Sequence, residues 1–208
     1  MKLIVLVIGP ESTATRAFTK ALSNHDKILG TKNPSEHFDI LDPVWFELEH
    51  SNLAEAIDKF PKNLEEKLIV TRRSVPHGIR PGENAKYMSF PNIELFFKLC
   101  NSLGYNIFIL VTSRSPLPNL FSTVKNRKSV EGNFKKAFNQ YQFSYRKIFQ
   151  LINTYNIPYF LISVEAFIVD KSKLIMSLHK YFELDYKNIE VETKTKLNDQ
   201  YYDKYLNS

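Results

Sequence analysis

Cysteine is nearly absent from this chain, which has one, Cys100, among its 208 residues. A single cysteine excludes an internal disulfide and any metal cluster built on cysteine ligands. Cys100 stands at helical spacing from the apolar residues Phe96 and Leu103. We therefore interpret it as a core thiol on a helix.

Long hydrophobic runs are also missing. No apolar segment approaches the roughly 20 residues that a membrane-spanning helix requires. The apolar run at residues 3–8 is too short to supply the hydrophobic region and cleavage site of a signal peptide, and Gly9 and Pro10 end it. We expect no membrane span, and a soluble protein of the cytoplasm.

Positively charged residues are in only slight excess over negatively charged ones. Lys and Arg number 28 against 22 Asp and Glu, which gives a formal net charge of +6. This balance favours anionic ligands but lacks the dense basic patches of a nucleic-acid binder, so we expect no nucleic-acid partner. With 43% hydrophobic residues, the chain is predicted to form a single domain over residues 1–208, in which residues 186–208 are a polar tail.

Apolar runs of strand length alternate with helical patterns along the chain. The predicted strands are residues 3–8, 28–31, 64–70, 106–112 and 159–163, and the predicted helices are residues 17–23, 92–103, 119–127, 133–153 and 171–182. Residues 42–57 are predicted to be helical or irregular, and residues 76–91 to form a long loop. The alternation indicates a three-layer α/β fold with a central, mainly parallel sheet flanked by helices.

Residues 9–16, which read G-P-E-S-T-A-T-R, connect the first buried strand to the first helix. Gly9 and Pro10 end the strand, and Ser12 or Thr13 is the predicted cap of the helix. Backbone N–H groups converge at such a turn and the helix dipole favours an anion, so we predict a phosphate site. The alternative is an ordinary capped helix after a buried strand.

This loop lacks the residues that hold ATP. In the pattern G-x-x-x-x-G-K-[ST], the lysine reaches the β- and γ-phosphates and the final hydroxyl binds Mg²⁺. The last three positions of the pattern are occupied here by Ala14, Thr15 and Arg16. The loop therefore predicts an anion site without a metal and without the means to hydrolyse a nucleoside triphosphate.

Charged side chains cluster in segments that follow the predicted strands, namely residues 9–16, 31–37, 72–77 and 113–122. The carboxyl ends of parallel strands meet at one edge of the sheet, where ligands bind. Within the last segment, Ser122 follows Arg114 by eight positions. An arginine at the end of a strand can fork onto phosphate oxygens, and a serine two helical turns later adds a hydroxyl. The alternative is a surface arginine and an ordinary helix serine.

With these segments the chain resembles the sulfotransferases that use 3'-phosphoadenosine 5'-phosphosulfate (PAPS), which are relatives of the P-loop kinases. In that family the first loop ends in Gly-Thr followed by Thr, Ser or Arg, as Thr15 and Arg16 do in part. The family's loop cradles the 5'-phosphosulfate, and its arginine and serine hold the 3'-phosphate. The resemblance implies a P-loop fold, PAPS as the nucleotide donor, and these donor-binding residues: Ser12, Thr13, Ala14, Thr15, Arg16, Arg114 and Ser122.

Two further segments carry weaker parallels. Residues 163–167, S-V-E-A-F, resemble the Y-E-D-L that follows the family's last strand. Residues 25–39 resemble the same region of the family's glycan-modifying branch, where E-x-H-F-F-D carries the catalytic glutamate. The resemblance therefore implies a hydroxyl acceptor on a small molecule or a glycan, and a carbohydrate is the expected acceptor.

The chain also departs from the family pattern. The family has a Lys or Arg in its first loop to neutralise the transferring sulfuryl group, where this chain has Glu11 or Ser12. No counterpart of the family's basic, glycine-containing C-terminal loop is present. Its nearest replacements are the cations Lys125, Arg127 and Lys128.

Sulfuryl transfer needs a base for the acceptor hydroxyl and positive charge near the transferring group. The candidate bases are His77, Glu36 and His37, and the candidate cation is Arg73. Its neighbour Arg72 points to the opposite side if the strand continues, so only one of the two arginines is expected to face the site.

Two other functions stay open at this point. A P-loop kinase-like enzyme that phosphorylates a small molecule would share the fold, but the lysine and the Mg²⁺-binding hydroxyl are missing. The second alternative is a nucleotide-binding protein that has lost catalysis, since the first loop has no lysine.

Overall fold

A computed structural model describes residues 2–31, 39–62, 68–78 and 88–185 of the chain. The predicted catalytic residues Glu36 and His37 lie outside the described residues, as do the segments at 63–67 and 79–87 and the tail at 186–208.

The described chain is built on a sheet of five parallel strands in the order β2-β3-β1-β6-β7. These strands are β1 (Leu3–Pro10), β2 (Ile28–Leu29), β3 (Leu68–Val75), β6 (Asn106–Ser113) and β7 (Tyr159–Ser163). A separate antiparallel pair consists of β4 (His77–Gly78) and β5 (Met88–Ser89). In the central strand, Ile4 pairs with Ile69 on one side and Ile107 on the other.

Strand β1 explains why the sheet is covered on both faces. All eight of its residues are buried, and successive side chains of a strand point to opposite faces. Ile4, Leu6 and Ile8 lie in one hydrophobic core. Leu3, Val5 and Val7 lie in the other. A continuous apolar run therefore supplies two cores from one strand.

Helices cover both faces of the sheet. Their bounds are α1 (Thr15–Ser23), α2 (Asp42–Glu49), α3 (Leu53–Lys59), α4 (Ile93–Ser102), α5 (Pro116–Asn126), α6 (Phe134–Tyr155), α7 (Val164–Val169) and α8 (Lys171–Tyr181), with a 3-10 helix at Lys128–Val130. Trp45 of α2 stacks on Phe96 of α4 in one core, and Phe18 of α1 contacts Phe167 of α7 in the other. The predicted three-layer α/β fold with a mainly parallel sheet is confirmed.

The third strand differs from its prediction in where it ends. It was expected to end at residue 70, but β3 continues to Val75, so Arg72 and Arg73 lie within the strand. The reason is the length of β1, whose backbone pairs with β3 as far as Pro10 opposite Val75. Strand β2 is shorter than expected and ends at Leu29.

Two other segments differ from their predictions. The predicted long loop at residues 76–91 contains the short pair β4–β5. Helix α5 begins at Pro116, three residues before the predicted start, since proline suits the first helical position. For residues 42–57, predicted to be helical or irregular, the helical alternative is confirmed: they lie in α2 and α3, with Ser51 in a left-handed conformation (φ 57°) between the two helices. Among the described helices, none has the length and apolar character needed to cross a membrane.

A buried pair of histidines links α1, β2 and α8. The rings of His25 and His179 meet edge to face with centroids 5.0 Å apart, and both side chains are fully buried. The Lys27 N–H donates to Nδ1 of His25, so Nε2 carries the proton and donates to the Asp185 carbonyl at 2.7 Å. Burial, and to a smaller extent the neighbouring His25, lower the pKa of His179.

This pair predicts a loss of stability in mild acid. Because the pKa of His179 is lower in the folded protein than in the unfolded chain, unfolding takes up a proton below about pH 6.5, the unfolded value. The free energy of unfolding should therefore be constant above that pH and fall as pH decreases, by at most about 1.4 kcal/mol per pH unit for one proton. Urea denaturation of wild type and His179→Leu between pH 7.5 and 5 checks this. Identical pH profiles for the two proteins would contradict it.

Candidate functional site

The connection between β1 and α1 is held in an unusual backbone conformation. Ser12 and Ala14 have positive φ angles, 66° and 57°, although neither is a glycine. Such conformations cost energy for residues with a Cβ and cluster at binding and catalytic sites. The Thr13 N–H donates to the Pro10 carbonyl at 3.3 Å and closes the turn.

The predicted helix cap is wrong. Ala14 occupies the cap position of α1, and no side chain caps the helix. The Thr13 hydroxyl instead donates to the Pro10 carbonyl at 2.6 Å and lies 2.7 Å from the Thr112 hydroxyl of β6. The first N–H groups of a helix have no partner within the helix. At α1 no side chain takes them up, and such N–H groups can bind an anion.

Gly9 makes this arrangement possible through close approach. A Cβ at Gly9 would stand 2.1 Å from the Thr112 Oγ1 atom and 2.6 Å from Thr13 Oγ1. Only a glycine lets the ends of β1 and β6 and the loop come this close. The sequence pattern marked Gly9 as a strand breaker, but the structure gives it this packing role within β1.

Arg114, just before α5, and two side chains of α5 itself form hydrogen bonds with the loop. The Arg114 Nη1 atom donates to the Ser12 carbonyl at 3.1 Å, and the Thr123 hydroxyl donates to the Ser12 hydroxyl at 3.1 Å. Asn119 Nδ2 donates to the Glu11 carbonyl at 2.8 Å. The two segments predicted to meet at one edge of the sheet, 9–16 and 113–122, are thus in direct contact.

Arginines from three elements converge on the loop. Partial burial and the positive charges of Arg72 and Arg127 lower the pKa of the Arg16 guanidinium, which is on α1. Arg72 is on β3, and burial lowers its pKa as well, against the opposing effect of Asp39 and Asp42. Among the described residues, no acidic side chain forms a salt bridge with Arg16. Positive charges that interact in this way favour a nearby anion.

The predicted catalytic cation Arg73 points to the other face of the sheet. Its Nη1 atom donates to Asp42 at 2.6 Å and to the Arg72 carbonyl at 2.9 Å, and its guanidinium lies over the Trp45 ring at 4.7 Å. Arg72 is on the same side of β3 as Ser74, whose hydroxyl lies 3.4 Å from that of Thr15. One of the two arginines faces the loop, as expected, and it is Arg72. Only the parity of the strand decides between them, and the sequence does not reveal it.

The proposed second phosphate contact is nearly buried. Arg114 and Ser122 are each 8% exposed. The Arg114 guanidinium is engaged with Ser12, and the Ser122 hydroxyl accepts a hydrogen bond from Asn126 at 3.4 Å. Arg114 therefore contacts the loop directly, whereas Ser122 lies on α5 and contacts Asn126 of the same helix.

Glu165 of α7 belongs to the S-V-E-A-F segment and contacts the residue that precedes α5. Its carboxylate accepts the Ser115 N–H at 2.9 Å and the Ser163 hydroxyl at 2.8 Å. Burial opposes the charge, but these hydrogen bonds prevail and lower the pKa of Glu165. It thereby fixes the start of α5 beside Arg114.

The structure describes less of the expected acceptor side. The backbone of His77 pairs with Ser89, and the side chain of His77 is not among those described. Asp39 follows the segment that holds Glu36 and His37, and its carboxylate accepts the N–H groups of Leu41 and Arg72 at 3.0 Å. Burial raises the pKa of Asp39. Within the described ranges, no group of three or more His, Cys, Asp or Glu side chains is placed to hold a metal ion.

Sequence comparisons identify no relative. No protein-family model matches the chain, and no curated protein matches it either.

Comparison of structures finds similar folds. The sulfotransferase domain of the curacin biosynthetic pathway has a TM-score of 0.55 at 11% identity, over 90% of this chain and 76% of that one. The sulfotransferase domain of the Synechococcus PCC 7002 olefin synthase gives 0.56 at 11% identity, over 99% and 82%. A sulfotransferase from Alicyclobacillus acidocaldarius gives 0.50 at 12% identity, over 98% and 91%. The chain therefore has a sulfotransferase-like fold.

Gly9→Ala should damage the loop specifically. The added methyl would collide with Thr112 and Thr13, and such overpacking costs about 1–3 kcal/mol of stability. The affinity of the protein for inorganic pyrophosphate, measured by calorimetry, should fall as well.

Gly104→Ala is the matched control, since Gly104 has open space around it and only its φ of 76° opposes a side chain. That strain costs about 1–2 kcal/mol and should leave pyrophosphate affinity unchanged. Equal loss of affinity in both variants would show that Gly9 acts through global stability alone.

Proposed function

We propose that this protein is a sulfotransferase that moves a sulfuryl group from PAPS to a hydroxyl acceptor. The observation that carries the proposal is the N-terminus of α1, which no side chain caps, in a sulfotransferase-like fold. Arg16 lies in its first turn, Arg127 contacts Glu11 of the loop, and the charges of Arg72 and Arg127 lower the pKa of Arg16. An anion site of this kind, without the lysine and hydroxyl of an ATP loop, suits a donor that needs no metal.

The phosphosulfate end of the donor would bind at the loop. The N–H groups of Thr15 and Arg16 lie in the first turn of α1, where helix geometry leaves them without intrahelical partners. Arg16 and Arg72 add charge. Thr13 would contribute through the shape of the turn rather than through its hydroxyl, which is engaged with Pro10 and Thr112.

The 3'-phosphate would bind beside Arg114 and Ser122. Because Arg114 also donates to the Ser12 carbonyl, it would couple the 3'-phosphate site to the loop that holds the 5' end. Arginine suits this place because its planar fork can serve a carbonyl and a phosphate together.

In the reaction, the acceptor oxygen forms a bond to sulfur while the bond from sulfur to the 5'-phosphate oxygen breaks. The bonding electrons leave with adenosine 3',5'-bisphosphate, and the acceptor proton passes to a base. His77, Glu36 and His37 are the proposed bases. The arginines at the loop stabilise the charge that develops on the leaving phosphate.

A carbohydrate is the proposed acceptor. The support is the similarity of residues 25–39 to the glycan-modifying branch, a segment that ends at Asp39, where it is tied to the backbone of β3. Both Glu36 and His37 belong to this segment.

Ligand preference tests the donor. The protein should bind adenosine 3',5'-bisphosphate at least about ten-fold more tightly than ADP, a difference of about 1.4 kcal/mol, because only the former places a phosphate at Arg114. EDTA should not change either affinity. Calorimetric titration measures both. Equal affinities, or a requirement for Mg²⁺, would support the kinase-like alternative instead.

A second test concerns the base. If His77 takes the acceptor proton, His77→Ala should lower turnover by about 10²–10⁴-fold and leave donor affinity nearly unchanged. The rate should also fall as pH drops through about 6.5, the ordinary imidazole value, whereas a glutamate base would act one or two units lower.

The matched variant is Glu36→Gln, assayed for sulfate transfer under the same conditions. Retained turnover in His77→Ala together with loss in Glu36→Gln would assign the base to Glu36 and remove His77 from that role.

A further inference from the structure

Glu11 is an anion inside a loop that is expected to bind anions. It is only 6% exposed, so its carboxylate is fixed rather than free in solvent. A carboxylate at this position would repel a phosphate unless something neutralised it and held it aside. The structure supplies both.

The Glu11 carboxylate contacts three consecutive elements of the chain. Oε2 accepts from Gln140 of α6 at 2.8 Å and from Ser129 of the 3-10 helix at 3.5 Å. Oε1 lies 3.4 Å from the Nε atom of Arg127, the C-cap residue of α5. The backbone carbonyl of Glu11 accepts a hydrogen bond from the side chain of Asn119 of α5. One loop residue therefore ties the whole α5–α6 connection to the loop.

The ion pair with Glu11 fixes the position of the Arg127 side chain. Its backbone N–H donates to Thr123 at 2.8 Å, which fixes the end of α5, while its side chain remains 44% exposed. An exposed arginine side chain that lacks a partner samples many rotamers, which must be given up when a ligand binds. The position of Arg127 is close enough to Arg16 for its charge to lower the pKa of Arg16.

We propose that Glu11 is a positioning residue that holds Arg127 at the loop, so that Arg127 joins Arg16 and Arg72 as a third cation of the anion site. The identity of the ligand in this proposal rests on the proposed function. The contacts of Glu11 with Arg127, Gln140 and Ser129 do not depend on it. A cation carried by α5 thus serves a loop that contains no lysine of its own.

The two members of the pair differ in what their loss does. Removing Arg127 leaves a buried carboxylate beside an anion site, which weakens both folding and binding. Glu11→Gln keeps Arg127 in the protein but removes the ion pair that orients its side chain. The glutamine at position 11 can still form hydrogen bonds with Gln140 and Ser129. If the ion pair only supported the fold, affinity would fall and recover together with stability in every variant.

The experiment uses wild type, Glu11→Gln, Arg127→Gln, Arg127→Lys and the double variant Glu11→Gln/Arg127→Gln. Thermal unfolding gives stability, and calorimetry gives affinity for two probes, inorganic pyrophosphate and adenosine 3',5'-bisphosphate. Lys136→Gln is the control, because it removes one positive charge from an exposed ion pair with Glu131 near the start of α6.

The expected result separates stability from affinity. Arg127→Gln should bind both probes about ten-fold more weakly and Arg127→Lys less than about three-fold more weakly, since lysine keeps the charge. Glu11→Gln should weaken binding about three-fold when Arg127 is present. In the Arg127→Gln background it should instead strengthen binding by less than about three-fold, because it removes the carboxylate that repels the ligand but does not replace the cation. The double variant should therefore recover the melting temperature lost in Arg127→Gln and still bind at least about three-fold more weakly than wild type. Lys136→Gln should stay within about two-fold of wild type.

Three results would overturn the proposal. They are unchanged or tighter binding in Glu11→Gln, full recovery of wild-type affinity together with stability in the double variant, and a loss in Lys136→Gln equal to that in Arg127→Gln. The wild-type arm separates this proposal from the proposed function. If wild type shows no preference for adenosine 3',5'-bisphosphate but the pyrophosphate series behaves as expected, the donor assignment falls and the positioning role stands. If wild type binds neither probe, both fall.

Discussion

The close contact among Gly9, Thr13 and Thr112 is the constraint on which the candidate site depends. The absence of a Cβ at Gly9 lets the Thr13 hydroxyl turn inward to Pro10 and Thr112. Because that hydroxyl is used inside the fold, it does not cap α1, and no other side chain does. The left-handed conformation of Ala14 follows from the same turn. A packing requirement between two strands thus leaves the start of α1 without a side-chain cap, which is the geometry that the proposed donor site uses.

Charge is arranged around this geometry from separate parts of the chain. Arg16 comes from α1, Arg72 from β3 and Arg127 from the end of α5, and their mutual repulsion is tolerated because the fold holds each one in place. The nearby carboxylates of Glu11 and Asp39 are held by side-chain and backbone donors, respectively. The loop lacks a lysine, and the surrounding elements provide the cations.

Much of the fold could be predicted from the sequence, because buried parallel strands appear as uninterrupted apolar runs such as residues 3–8 and 106–112. The meeting of the 9–16 and 113–122 segments also followed from the rule that parallel strands end at one edge. The site's details could not be predicted, because they depend on tertiary pairing. The end of β3 is set by the length of β1, the choice of Arg72 over Arg73 by strand parity, and the contact of Glu11 with Arg127 by helix packing.

The most direct test of the account is a crystal structure of the protein with adenosine 3',5'-bisphosphate. The account predicts the 5'-phosphate within about 2.7–3.2 Å of the backbone N–H groups of Thr15 and Arg16, and the 3'-phosphate beside Arg114. A nucleotide bound away from the β1–α1 loop, or one whose 3'-phosphate rather than 5'-phosphate occupies that loop, would contradict it.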